Sequence, residues 1–293
     1  MCQVSVNAVE NTAIKGSGST VHYFQRVTLL VSLFAFVLLS AGCGQSFSET
    51  DQAKDSSVVQ LQEDVSAKQP TPVPIDTALY DQKNIQLANG DSSGLWPVKA
   101  PYPLPGAIFP FKRVVSYYGN LYSKRMGILG ELPPAEMLAK LKGEVKKWEA
   151  ADTATEVLPA LHYIAVTAQE SPGKGGKYRL RMPFHQIDSV LKMAEKIDAI
   201  TFVDVQVGLS TLQEEIPQLE KYLLMPDVHL GIDPEFSMKG GHRPGTVIGT
   251  FNADDINYVT GYLAELVKKN NLPPKILVIH RFTQGMVTNY KQI

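Results

Sequence analysis

Two hydrophobic patterns alternate along the chain from residue 113 onward. Short runs of apolar and β-branched residues, typical of buried strands, occupy residues 113–119, 158–168, 199–208, 228–236 and 275–282. Between these runs, apolar residues recur every three or four positions, which is the spacing of an amphipathic helix. The strand starts lie roughly 30 to 45 residues apart, an interval long enough for a helix to carry the chain back to the start of the next strand. The pattern therefore predicts an α/β fold of parallel (β/α) units.

We expect helices within residues 133–148, 184–197, 209–224 and 252–274. The last of these has the clearest end signals. Asn252 is a suitable capping residue, and Asp254 and Asp255 follow it in the first turn. Lys268 and Lys269 fall in the last turn, where they complement the helix dipole, and two prolines then prevent the helix from continuing.

Two architectures share this rhythm of strands and helices. An open doubly wound sheet normally carries a glycine-rich phosphate loop after its first strand, whereas the residues here are "YYGNLYSKRMG". A TIM-type barrel instead places polar residues at the carboxyl ends of several strands. The polar residues at the five strand ends are Tyr117 or Tyr118, His162, Asp204 with Gln206, Asp233 with Glu235, and His280 with Arg281. We therefore favour the barrel.

The chain ends shortly after the fifth predicted strand. A barrel that lacks three strands has open edges and an uncovered core. We therefore expect an incomplete TIM-type barrel of five strand units in a fragment of a longer protein, and an open sheet is the alternative.

Alternation along the strands places the polar residues on a common face. Asp204 and Gln206 share one face of their strand, and the opposite face is entirely valine. His229, Gly231, Asp233 and Glu235 likewise share a face, opposite a purely aliphatic one. The aliphatic faces are expected to pack against helices, so the mixed faces point into the barrel. Because Pro234 cannot donate a hydrogen bond to a neighbouring strand, the strand should end at Asp233, which puts both acids at the rim.

Paired carboxyl groups at a barrel rim are typical of glycoside hydrolases. The reaction needs one protonated acid and one ionised base or nucleophile. The Asp-x-Glu of "VHLGIDPEF" (residues 228–236) resembles the pattern at the end of the fourth strand in glycoside hydrolase barrels, including the chitinase type and lysozyme-like muramidases. The resemblance implies that Glu235 is the general acid and Asp233 its partner, with Asp204 and Gln206 contacting the substrate. Residues 113–293 as a whole resemble a bacterial lipoprotein family with a glycoside-hydrolase-like (β/α)8 barrel.

The other polar rim residues are expected to bind the substrate. Tyr117, Tyr118 and Tyr163 offer sugar-stacking surfaces, and His162, His280 and Arg281 offer polar contacts. A hydrolase of this kind requires no metal and no cofactor, and we expect the protein to act on a polysaccharide or peptidoglycan.

Three alternatives remain open. Asp233 can cap the following loop or pair with Arg243 or Arg281, and a buried Asp204 needs a partner such as His280 or Arg281. His162, Asp204, Asp233 and His280 lie on four strands and can converge on one divalent ion, although no HxH or HExxH pair is present. Finally, the protein can bind a carbohydrate or another partner without catalysis.

The N-terminal residues predict export. Residues 27–42 form an apolar run with Lys15 and Arg26 before it, shorter than the roughly 18 apolar residues that usually span a bilayer. "LLSAGC" (residues 38–43) resembles the bacterial lipobox. The resemblance implies a signal peptide over residues 1–42, a lipid on Cys43, and anchoring to the bacterial cell membrane or outer membrane. An uncleaved anchor helix is the alternative.

The amino-acid composition predicts where the globular domain begins and argues against several functions. Residues 43–97 are rich in Ser, Asp, Gln and Pro, which predicts a flexible tether before a barrel-like domain over residues 98–293. Cys2 and Cys43 are the only cysteines, so the mature protein has no disulfide, no thiol catalysis and no Cys-ligated zinc. With a net charge of −1 and no basic stripe, nucleic-acid binding is excluded.

Overall fold

The computed structural model describes residues 3–5, 74–93, 96 and 100–293. The helices are α1 Thr77–Ala88, α2 Ile128–Glu131, α3 Pro134–Ala151, α4 Phe184–Glu195, α5 Leu212–Glu215, α6 Glu220–Leu223 and α7 Ala253–Asn270, with 3₁₀ turns at Ile216–Leu219, Pro234–Phe236, Gln284–Met286 and Tyr290–Gln292. The strands are β1 Gln3–Ser5, β2 Lys112–Gly119, β3 Glu156–Ala168, β4 Arg179–Arg181, β5 Ile200–Val205, β6 Val228–Ile232, β7 Phe251–Asn252, β8 Ile276–Ile279 and β9 Val287–Thr288. The predicted signal peptide and Cys43 lie outside the described residues. Among the residues that are described, no helix is long and apolar enough to cross a membrane.

Five parallel strands form the centre of the fold. β2, β3, β5, β6 and β8 lie side by side in chain order, and the sheet they form curls into a half-barrel. This confirms the predicted α/β fold of parallel (β/α) units in an incomplete TIM-type barrel. β1 adds a short parallel pairing to β8, and β4 runs antiparallel to the end of β3. β7 and β9 pair separately.

The two faces of the sheet have different environments. On the convex face, aliphatic side chains such as Val203, Val205 and Leu230 are completely buried in the core that the helices share. On the concave face, a smaller apolar cluster around Phe202 and Ile276 fills the amino-terminal half of the strands. Polar side chains occupy the carboxyl-terminal half of the same face. The half-barrel therefore has an apolar floor below a polar rim, which is the layering of barrel enzymes.

The third connection is less regular than the sequence indicates. Instead of one helix within residues 209–224, the chain forms α5, a 3₁₀ turn and α6. Pro217 explains the break, because it has no N–H to donate to the carbonyl four residues earlier. The apolar side chains are nevertheless buried as predicted: Leu212, Ile216, Leu219 and Leu223.

Part of the segment predicted as a flexible tether is helical. α1 begins after Asp76, whose side chain accepts a hydrogen bond from the N–H of Leu79. The Tyr80 ring contacts the rings of Tyr102 and Phe111, with centroid separations of 5.4 and 6.2 Å. These aromatic contacts fix the helix against the segment that leads into β2. The polar average composition of residues 43–97 gives no indication of this helix, because its contacts depend on a single tyrosine, Tyr80.

Candidate functional site

A cavity of about 650 Å³ opens on the concave face, at the carboxyl ends of the strands. Its floor is formed by Val114, Ile164, Phe202, Ile276 and Val278, and its rim by Tyr118, His162, Gln206, Asp233, Glu235, His280 and Arg281. Phe109, Phe236 and Phe282 add aromatic walls. The volume lies within the range of small-molecule sites, roughly 300–1,000 Å³.

Asp204, on β5, is at the centre of a hydrogen-bonded cluster. Its side chain is completely buried, and Oδ1 lies 3.1 Å from Nε2 of His162 and 3.0 Å from Nε2 of His280. The hydroxyl of Tyr118 donates to Oδ2 over 3.2 Å. One carboxylate thus connects side chains from β2, from β3 and from the residue that follows β8.

Gly231, on β6, makes the close approach in this cluster possible. It is paired in register with Asp204 on the neighbouring strand. A Cβ at this position would overlap Oδ1 of Asp204 and Nε2 of His162. Glycine is therefore required here by the space that the cluster occupies.

The charges in the cluster follow from the hydrogen bonds. Burial opposes ionisation of Asp204, but the positive charge of His280 and the hydrogen bonds from both histidines outweigh it, so the pKa of Asp204 is lowered. Burial also opposes the charge on His280, but Asp204 outweighs it and raises the pKa of His280 to about 9. For His162, burial prevails and the pKa is lowered. Near neutral pH the cluster consists of an aspartate, an imidazolium and a neutral imidazole.

Asp233 is a second buried carboxyl group, and its environment raises its pKa, whereas that of Asp204 is lowered. Only 5% of the residue is exposed. Burial, followed by the negative charge of Asp204, raises the pKa of Asp233 to about 7. Its Oδ1 accepts the N–H of Glu235 at 3.0 Å, and Nε2 of Gln206 donates to its Oδ2 over 3.4 Å. Gln206 is itself held by the N–H of Ala168, which donates to Oε1 over 3.0 Å. Asp233 is therefore a carboxyl group that retains its proton up to neutral pH.

Glu235 lines the same cavity from the turn that follows β6. The strand ends at Ile232, and Asp233 caps the 3₁₀ turn Pro234–Phe236. Glu235 is partly exposed. The two acids thus stand at the rim, as the sequence predicts, and Asp233 is the more buried of the two.

No family model, curated protein or solved structure matches this chain.

The structure brings most of the sequence-predicted site residues to this cavity. Tyr118, His162, Gln206, Asp233, Glu235 and His280 meet at its rim, and Arg281 lines its edge. Asp204 does not line the cavity, because it is completely buried beneath the two histidines. The guanidinium of Arg281 donates to the carbonyls of Thr283 and Gln284. In the described part of the chain it forms no ion pair with Asp204 or Asp233, so His280 is the partner that Asp204 uses.

Two tyrosines do not reach the cavity. Tyr117 points to the convex face, where it packs against the helix-side core. Tyr163, a second sugar-stacking candidate, is completely buried on that face, and its hydroxyl donates to Oε1 of Gln186 over 2.6 Å. Of the adjacent pair Tyr117 and Tyr118, strand alternation selects Tyr118.

Sequence patterns gave no signal for the aromatic walls from the loops. Phe109 precedes β2. Phe236 and Phe282 are the last residues of two predicted strand runs, but they lie in the turn after β6 and in the loop after β8, where alternation no longer predicts their direction. His229 was placed on the cavity face by alternation, and it lies beneath the rim with 1% of its surface exposed. Its Nδ1 accepts the N–H of Ile276, Nε2 has no partner among the described residues, and burial lowers its pKa to about 3.

Proposed function

We propose that this protein is a glycan-active hydrolase of the bacterial cell envelope that uses Asp233 and Glu235 as its acid–base pair. The observation that carries the proposal is the pairing of a buried carboxyl group of raised pKa with a more exposed acid two residues later, on the wall of one cavity. Glycoside hydrolysis requires this division of roles between two carboxyl groups.

In this mechanism Asp233 donates its proton to the glycosidic oxygen, and the leaving sugar departs as an alcohol. Glu235, as the carboxylate, attacks the anomeric carbon or removes a proton from the attacking water, and water completes the hydrolysis. A general acid works best when its pKa lies near the working pH, and the pKa of Asp233 is about 7. The roles are therefore reversed relative to those that the glycoside hydrolase resemblance implies.

The rest of the cavity is suited to a sugar. Tyr118 and the three phenylalanines of the walls offer faces for stacking, while Gln206, His280 and Arg281 offer hydrogen bonds to hydroxyl groups. The lipobox and signal sequence support a location at the membrane, through a lipid on Cys43, where polysaccharide or peptidoglycan is the available polymer.

The test compares two leaving groups. The full chain is assayed on envelope polysaccharides, by release of reducing ends, and on a panel of dinitrophenyl glycosides, whose leaving group needs no protonation. Asp233→Asn should lose about 10²–10⁴-fold on the polysaccharide and far less on the activated glycoside. Glu235→Gln should lose activity on both.

Glu149→Gln, which changes an exposed acid on α3 away from the cavity, is the matched control and should behave as the wild type. Equal activity of Asp233→Asn and wild type on the polysaccharide would refute the acid role. Saturable carbohydrate binding with no reducing ends from any variant would instead support a binding protein without catalysis.

A further inference from the structure

Three potential metal ligands converge at the centre of the cluster around Asp204. Nε2 of His162, Nε2 of His280 and an oxygen of Asp204 all lie within 4.8 Å of one another. They lie on β3, on β5 and directly after β8, so neighbouring strands of the sheet bring them together. Two imidazole nitrogens and a carboxylate oxygen are ligands that zinc and similar first-row ions commonly take.

Two of the three separations between ligand atoms fit a shared ion, and the third, between the two histidine nitrogens, is within 4.8 Å. Oδ1 of Asp204 is 3.1 Å from Nε2 of His162 and 3.0 Å from Nε2 of His280. Ligands bound at about 2.0–2.1 Å with angles of roughly 90–110° are themselves about 2.9–3.4 Å apart. Hydrogen bonds have similar lengths, so the protons on the two imidazoles can hold the ligands in place until an ion displaces them.

The surroundings support these ligands and leave one side accessible. Tyr118 donates to the second oxygen of Asp204, and the Phe202 ring stacks on His162 at 5.0 Å. Gly231 leaves the space that the ligand atoms occupy. The His280 side chain is 29% exposed and lines the cavity, so an ion can enter from that side.

We infer that His162, Asp204 and His280 form a binding site for a divalent transition-metal ion such as Zn²⁺, with the remaining coordination positions facing the cavity. Three protein ligands with an open position are typical of accessible rather than purely structural zinc sites. Asp233 stays outside the ligand set, because among the described residues the ligand atoms that converge are those of His162, Asp204 and His280. This differs from the four-ligand arrangement considered from the sequence.

The proposed metal ligands and the acid–base pair are different residues, and metal binding is tested separately from hydrolysis. The full chain is stripped with a chelator, and binding of Zn²⁺ is measured by calorimetry and by competition with a chromophoric chelator. We expect one equivalent to bind. Co²⁺ in its place should give the intense visible absorption of a four- or five-coordinate site with nitrogen ligands.

Substitutions in and near the site test which residues bind the metal ion. His280→Gln should weaken Zn²⁺ binding by more than about a hundredfold, as expected when a ligand is lost. Gly231→Ala should weaken it as well, because its Cβ displaces Asp204 and His162. The matched control is His242→Gln, which changes an exposed loop histidine and should bind as the wild type does.

The folded state of each variant is checked by circular dichroism, because His280 is also the cation that pairs with the completely buried Asp204. Binding of Zn²⁺ by the wild type that is no tighter than by His280→Gln would overturn the inference. So would a bound Co²⁺ with the weak absorption of an all-oxygen site. Either result leaves the hydrolase test untouched, because the reducing-end assay is run with chelator present.

Discussion

At the scale of single residues, different hydrogen-bond partners shift the pKa values of two buried aspartates at similar strand ends in opposite directions. Asp204 is completely buried but receives hydrogen bonds from two histidines, so its pKa is lowered. Asp233 is nearly as buried but lacks a cationic hydrogen-bond partner, so its pKa is raised to about 7. The sequence predicts that both lie at the rim, because the strand rhythm and alternation determine this. It does not predict which acid retains its proton, since that depends on the turn after β6 and on the side chains that face each carboxyl group.

The raised pKa of Asp233 makes the stability of the protein depend on pH. In the unfolded chain an aspartate ionises near its ordinary pKa of about 4. Between that pH and about 7 the native state binds more protons than the unfolded state, so the free energy of unfolding falls as the pH rises through this interval. Asp233→Asn removes this contribution. Urea denaturation at pH 5 and pH 8 should therefore show a smaller loss of stability for Asp233→Asn than for the wild type, and an identical loss in both proteins would contradict the raised pKa.

At the scale of elements, an ion-pair cluster attaches the short edge strand β4 to α5. Glu215 is completely buried, and its two oxygens accept hydrogen bonds from Nε of Arg179 and Nε of Arg181, each at 2.6 Å. Residues 171–181 contain glycines and lysines and indicate a loop, so the sequence predicts neither β4 nor its partners. A contact between residues more than 30 positions apart leaves no periodic signal.

Substitution of Glu215 and of its neighbour Glu214 compares the contribution of a buried ion pair to stability with that of a surface ion pair. Glu215→Gln leaves the Arg179 guanidinium, whose side chain is 10% exposed, without its buried carboxylate, and should lower the free energy of unfolding by about 3 kcal/mol. Glu214→Gln removes ion pairs of a residue whose side chain is 43% exposed and should cost less than about 1 kcal/mol. Chemical denaturation of the two variants measures both values. Equal losses would show that the buried pair has no special role.

At the scale of the whole molecule, the chain order of the strands determines where chemistry is possible. Because β2, β3, β5, β6 and β8 are neighbours in sequence and in space, their carboxyl ends meet at one rim, and the end of each strand contributes a polar side chain to one cavity. This much could be predicted from the spacing of the apolar runs. The position of α1 could not, because it depends on contacts of Tyr80 with Tyr102 and Phe111 inside a segment of polar composition.

The pH dependence of glycan hydrolysis by the full chain tests the central claim most directly. Asp233 must be protonated to act as the acid, so kcat/KM should be highest below its pKa and fall as the pH rises through about 7. The measurement is made with chelator present, on the wild type and on Asp233→Asn in parallel. We predict that this fall is seen in the wild type and is absent from the residual activity of Asp233→Asn. No hydrolysis at any pH, or the same fall in both proteins, would contradict the assignment of Asp233 as the general acid.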